Sequence, residues 1–185
     1  GYLWVEHGAP IAPDLLMGLE EAQRLIYGTY QLQVKAREGA TFEAPPLTVV
    51  PPYPDLPMEE VYPRQPRTDI PGLYCRHYGR GRVVYIPWDL DRVFWEILHP
   101  DHGRLLANAV HWATNAAVPV TVTGPGVLDV TAWRGPDAIT VHLVNLTNPM
   151  TMRGAFRELY PVGAQTVTVR IPEAVDVLGV RLLRH

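Results

Sequence analysis

Side chains able to move protons or hold metal ions crowd one part of the chain: Asp89, Asp91, Glu96, His99, Asp101 and His102. Hydrolysis of a glycosidic bond needs two carboxyl groups facing each other, ~5 Å apart for retention or ~6.5–9.5 Å for inversion. Asp89 and Asp91 are close enough in sequence to supply such a pair. Helix capping accounts for the same positions without a substrate. Asp89 and Asp101 each stand just ahead of an apolar run with helical spacing, and Asp91 or Glu96 complements a helix dipole or pairs with Arg92. His99, Asp101 and His102 are metal-ligand types, but ligands must share a face and Pro100 breaks the helix between them. The expectation is therefore no metal and no other cofactor.

Nucleophiles are scarce. The chain has no serine, one cysteine (Cys75) and one lysine (Lys35). Serine-nucleophile chemistry is excluded from these residues, and an intrachain disulfide cannot form. Cys75 lies within Leu-Tyr-Cys-Arg-His-Tyr, a strand pattern without the tight strand-to-helix elbow that a catalytic cysteine uses, so it reads as a buried structural thiol. Gly79-Arg80-Gly81 lacks a third glycine and falls between two strand patterns, which makes it a turn and not a phosphate loop. Arg76, His77, Arg80 and Arg82 around it read as a solvated hairpin.

Aromatic side chains could serve sugars or partner surfaces. Trp95 and Trp112 fall in helical patterns, where core or interface is the default. Trp88 follows Pro87 at the end of a strand pattern, a place where open α/β sheets put ligand-facing loops. The candidate ligand or interface residues are therefore Trp88, Asp89, Asp91 and Trp95. Asn145-Leu146-Thr147 matches a glycosylation sequon inside a strand pattern and reads as coincidence.

These residues must be positioned by the stretch from Tyr78 to Ala113. Val83 to Ile86 is a continuous apolar run, expected of a strand covered on both faces. Pro87 stops it. Leu90, Val93, Phe94, Ile97 and Leu98 then recur at helical spacing, Pro100 ends that helix, and Leu105, Leu106, Ala109, Val110 and Ala113 mark the apolar side of the next. Upstream, Asp14 is placed to cap a helix through Leu15, Leu19, Ala22 and Ile26, closed by Gly28, and residues 30–34 alternate as a strand. Residues 42–71 are proline-rich and read as a rigid arm with a short strand at Leu47 to Val50. Pro71 to Tyr78 pairs with Arg82 to Ile86 as a hairpin.

After Asn115 the composition shifts. Residues 118–185 offer strand patterns at 118–125, 127–135, 138–148, 165–172 and 175–185, which predicts a small antiparallel sandwich. The fold class is thus α/β over residues 1–117 and all-β over 118–185. A hydrophobic fraction of 47% supports a packed core, and a net charge of -3 gives no reason to expect nucleic acid. No apolar run reaches the ~20 residues of a membrane span. The expectation is a soluble, cytoplasmic chain, and its opening at Gly1 reads as a piece of a longer protein, truncated at the N-terminal side of the first domain.

The succession Gly79-Arg-Gly-Arg-Val-Val-Tyr-Ile-Pro87, Asp89-x-Asp-Arg-x-Phe-Trp95 and Asp101-His-Gly-Arg-Leu-Leu-x-Asn-Ala-Val-x-Trp-Ala113 resembles the end of a glutamine-amidotransferase-like domain in certain bacterial glycoside-hydrolase-like proteins. That domain is similar to the trimerisation domain of family 42 β-galactosidases. The resemblance covers roughly residues 1–115, and Val141-His-Leu-Val-Asn145 is similar to the β modules that often follow. It implies a partial flavodoxin- or amidotransferase-like α/β domain without a nucleophile and a small β domain. Neither is catalytic in this reading. It also implies a homo-oligomer, trimeric by analogy, and an upstream catalytic barrel carrying the acids. Two alternatives stand beside it: a carbohydrate-binding module presenting Trp88 or Trp133, and a stand-alone hydrolase using Asp89 and Asp91.

Overall fold

The computed structural model describes residues 1–51, 67–115, 118–147, 158–172 and 175–183. The chain divides into two compact units, Gly1–Ala117 and Val118–His185. Half of the proline-rich arm, residues 52–66, lies outside the described residues.

The first unit is built on alternation around its opening strand. In β1 (Tyr2–Val5), Leu3 and Val5 point inward and are buried, while Tyr2 and Trp4 point outward. Strand β1 is the middle of a three-stranded antiparallel sheet, with β2 (Arg24–Ile26) on one side and β3 (Leu47–Val49) on the other. Register aligns Leu25, Leu3 and Val49 in one inward row, and Leu47 with Val5 in the next. On the outer face the Arg24 guanidinium lies 5.6 Å from the centre of the Trp4 ring. Gly72 stands so close that a Cβ there would meet Leu3 Cδ2 at 2.6 Å, so this position must lack a side chain.

The expected N-terminal helix is replaced by something shorter. Helix α1 spans only Ala12–Leu15, and residues 24–26 are strand β2. Leu15, Leu16, Leu19 and Leu25 are all buried, so the apolar residues do find the core, though not along one helix. Gly18 is left-handed (φ 78), and its N–H is taken by Glu20 Oε1 at 2.7 Å. The carbonyls of Leu15 and Met17 accept from Asn108 instead of from a following helical turn. Residues 30–34 form no strand either. Gln31 makes one isolated bridge to Trp88, and Tyr30 and Leu32 stay exposed.

The hairpin forms as expected, with β4 (Tyr74–Tyr78) and β5 (Gly81–Tyr85) joined through a turn where Gly79 has φ 57. Strand β5 is not covered on both faces. Val83 and Tyr85 are exposed and Val84 is half-buried, because the sheet has two strands and α3 (Pro100–Ala113) packs against one side. Helix α2 (Leu90–Ile97) begins after Asp89, whose carboxylate caps nothing. It ends at Leu98 in the left-handed region, and Pro100 opens α3 instead of closing α2. The cap of α3 is His99, whose Nδ1 accepts from the Asp101 N–H at 3.3 Å; Asp101 itself pairs with Arg104 at 2.8 Å.

The buried side of α3 also differs from the apolar pattern. It consists of His102, Leu105, Asn108, Ala109 and Trp112, whereas Leu106 and Val110 are exposed. Two polar residues hold the inward face because their side chains answer backbone groups of other elements. His102 Nε2 lies 2.7 Å from the Ile26 carbonyl oxygen, and Asn108 Nδ2 donates to Leu15 O (3.1 Å) and Met17 O (2.9 Å).

In the second unit, β6 (Val120–Thr123) pairs with β9 (Thr166–Val169), and β7 (Leu128–Arg134) pairs with β8 (Ile139–Asn145), both antiparallel. Among the described residues none of this unit is fully buried, so these strands enclose no sandwich core. Residues 175–183 are not a strand, and Leu178 and Val180 are entirely exposed. Across the described residues the chain is dominated by small antiparallel sheets with three helices, and the strand pairings supply no parallel sheet of the flavodoxin kind. No described helix is long and apolar enough to cross a membrane.

Asn108→Ala leaves two carbonyls without their donor and is expected to destabilise the first unit by about 2 kcal/mol. Val110→Ala, on the exposed side of the same helix, should stay within ~0.5 kcal/mol. Urea denaturation followed by tryptophan fluorescence distinguishes the two, and equal effects would remove Asn108 from its role.

Candidate functional site

The residues singled out from sequence surround the junction of β5, α2 and α3, and the structure separates their roles. Trp88 is 6% exposed and belongs to the core. Its Nε1–H donates to Gly72 O at 2.9 Å, so the polar end of the indole is satisfied internally. This corrects the expectation of a sugar- or partner-facing Trp88. The strand end does not open onto a ligand loop, because residues 31–32 fold back across it. Leu32 N–H donates to Pro87 O at 2.7 Å beside the Gln31–Trp88 bridge.

Asp89 and Asp91 are exposed at the start of α2. Asp89, Asp91, Trp88 and Trp95 line neither of two cavities, of about 340 and 360 Å³, among the described residues of the first unit. The two aspartates thus share an exposed helix end, without the walls that would orient a sugar between them. Glu96 pairs with Arg92 at 3.0 Å in the i, i+4 arrangement of an exposed helix face, and that contact raises the pKa of Arg92. Trp95 is half-exposed on α2, next to Ile97 and Leu98, which are exposed as well.

His99, Asp101 and His102 are close without converging. The His99 and His102 rings are 5.7 Å apart and steeply inclined. His99 Nδ1 lies 3.6 Å from Asp101 Oδ2, yet that nitrogen already accepts the Asp101 N–H and cannot donate a proton to the carboxylate as well. His102 is 1% exposed, its Nε2 is engaged by the Ile26 carbonyl, and its ring stacks edge-on to Trp88 at 6.2 Å. Among the described residues, no three His, Cys, Asp or Glu side chains come together in a way that could hold a metal ion.

A carbonyl oxygen can only accept, so His102 carries its proton on Nε2 in the neutral tautomer. Its Nδ1 is buried and has no partner among the described residues. A second proton would place a charge there with nothing to receive it, and desolvation accordingly pushes the His102 pKa down, with nearby His99 adding in the same direction. The same cause acts oppositely on an acid. Burial raises the Cys75 thiol to about 12, with the Glu43 carboxylate adding to it, so Cys75 stays protonated at neutral pH and cannot serve as a nucleophile.

The sequence reading missed the buried roles of His102 and Asn108. The available signal was their spacing: with Leu105, Ala109 and Trp112 they complete one helical face that aliphatic residues alone leave incomplete. It also passed over the first cavity, lined by His77, Arg80, Arg82, Thr114 and Asn115 among others, where the hairpin turn meets the end of α3.

Comparison with protein-family models, with curated proteins and with solved structures gave no match to this chain.

The depressed His102 pKa has a defined consequence for stability. Above the ordinary value of 6.5 both folded and unfolded states hold the ring neutral, and the fold keeps its full stability. As pH falls below 6.5 the unfolded chain takes up the proton first, so stability declines until the folded ring titrates too. His102→Gln should flatten the pH dependence of the urea midpoint over that window; an unchanged slope would mean His102 does not titrate on unfolding.

Proposed function

We propose that this chain is a non-catalytic accessory and assembly region of a glycoside-hydrolase-like protein, whose bond-breaking acids lie on a catalytic barrel outside these residues. In this reading the first unit belongs to an α/β domain of the amidotransferase-like, trimerisation type. The observation that carries the proposal is the apolar surface of the first unit. Leu106 and Val110 (52% exposed) lie one turn apart on the outer side of α3 and Ile97 and Leu98 are exposed on α2, while Val83 and Tyr85 are exposed on the face of β5 turned away from α3. Side chains of this kind on a helix face and a strand face suit burial against protein. The chemistry-bearing residues support the same reading. Cys75 is a buried thiol, and Asp89 and Asp91 stand on an exposed helix start outside both cavities.

Size-exclusion chromatography with light scattering, on this chain and on the full-length protein, tests the proposal. An oligomer is expected, and Leu106→Glu with Val110→Glu should shift it to a smaller species. A strict monomer in both preparations rejects the assembly role.

A second reading, carbohydrate binding, is favoured by one feature of the second unit. Trp133 is 66% exposed on β7 opposite Thr140, and on the same face Thr131 stands opposite His142. An indole beside hydroxyl and imidazole groups offers a stacking surface with hydrogen-bonding neighbours, as a sugar ring requires. In oligosaccharide titrations followed by fluorescence, this reading expects a saturable change that Trp133→Ala abolishes. No response across neutral hexose and pentose oligomers excludes it.

A further inference from the structure

We propose that the cleft between the hairpin turn and the end of α3 is a binding site for a small oxyanion, a phosphate or carboxylate group carried by a soluble ligand. The cleft, about 340 Å³, is lined by His77, Arg80, Arg82, Thr114 and Asn115. Its charge runs against that of the chain. The chain carries net charge -3 with 19 acidic residues, yet residues 70–88 and 102–115, which include all the lining residues, contain no aspartate or glutamate. Among the described residues no carboxylate pairs with Arg80 or Arg82.

Arg82 and the His77 ring are held in place, which distinguishes this part of the cleft from a loose basic surface. His77 and Arg82 are directly opposite each other across the β4–β5 ladder, so both side chains stand on one face. That face packs on Trp112. The Arg82 guanidinium lies 5.3 Å from the indole centre, and the His77 ring meets the same indole edge-on at 5.6 Å. Arg82 Nη1 donates to Trp112 O at 3.2 Å, which answers one carbonyl at the negative end of α3. A guanidinium has five N–H donors in a rigid fork, so this contact fixes Arg82 while leaving donors for a ligand. Arg80 occupies the turn beside it, and Asn115, left-handed just past α3, adds a carboxamide. Two guanidinium groups, an imidazole and an amide lining one cleft, with no carboxylate paired to either guanidinium among the described residues and only the partial charge of the α3 end to offset them, are the donor set that binds phosphate and carboxylate groups. The site does not depend on the assembly role.

The test is a titration of the full chain, recorded as backbone amide NMR shifts, with inorganic phosphate in one arm and glucuronate in the other, each against sodium chloride at matched ionic strength. Saturable shifts at residues 79–82 and 113–115 are expected in at least one arm and not with chloride; the responding arm identifies phosphate or carboxylate as the preferred group. Arg80→Ala removes an exposed turn side chain that holds no core contact, and it should weaken binding at least about fivefold. Arg82→Lys keeps the charge and loses the fork, and it should weaken the responding arm as well. The proposal is overturned by the absence of saturable shifts in both arms, by shifts that chloride reproduces, or by affinity unchanged in Arg80→Ala.

Discussion

Three backbone carbonyls of the first unit, at Leu15, Met17 and Ile26, depend on side chains of a single helix for their hydrogen bonds. A fully buried carbonyl without a donor costs about 1–3 kcal/mol, a penalty that applies most directly at Leu15, the bonds at Met17 and Ile26 being part-buried. Helix α3 removes that cost by sending His102 and Asn108 inward among Leu105, Ala109 and Trp112. The rest of the unit follows from this. Helix α1 can stop after four residues because Asn108 completes its end, and β2 can run close to α3 because His102 receives it. The hairpin then closes against the far end of the same helix, where Arg82 answers the Trp112 carbonyl.

This arrangement explains which parts of the fold could be read from the residues. The hairpin was legible, since Gly79 and Gly81 between two β-branched and aromatic runs specify a tight turn. The two helices after Pro87 were legible from periodicity, apart from their junction, where Pro100 begins a helix instead of ending one. The helix expected over residues 14–26 failed for a tertiary reason. Its leucines do reach the core, but the carbonyls that would continue the helix are engaged from α3, and Gly18 permits the reversal. The strand expected at 30–34 alternates in residue type but gains only one bridge. In the second unit alternation located four strands and overran at 175–183, where a strand pattern lacks a neighbour to pair with among the described residues.

The candidate site was less legible than the fold, and the reasons are physical. Trp88 has the sequence context of a loop residue, yet its indole N–H finds a carbonyl at Gly72, and that single bond lets the whole ring be buried. Of the acidic residues around α2 and α3, Asp91 sits in the first turn of α2, and Glu96 and Asp101 are paired with Arg92 and Arg104. The cleft at the hairpin turn depends on two stretches distant in sequence, 77–82 and 113–115. Each alone is an ordinary turn or helix end; the packing of His77 and Arg82 on Trp112 brings the basic side of the turn against the end of α3.

Cys75 lies opposite Val84 within the hairpin and is sealed into the core shared with Leu3 and Leu73. It is the sole thiol of the chain, and it is held in its unreactive protonated form. Oxidants and alkylating reagents must therefore wait for β4 to part from the helices behind it. The thiol is insensitive to its redox surroundings for as long as the unit stays folded, and its chemical lifetime under oxidising conditions is set by how often that hairpin opens.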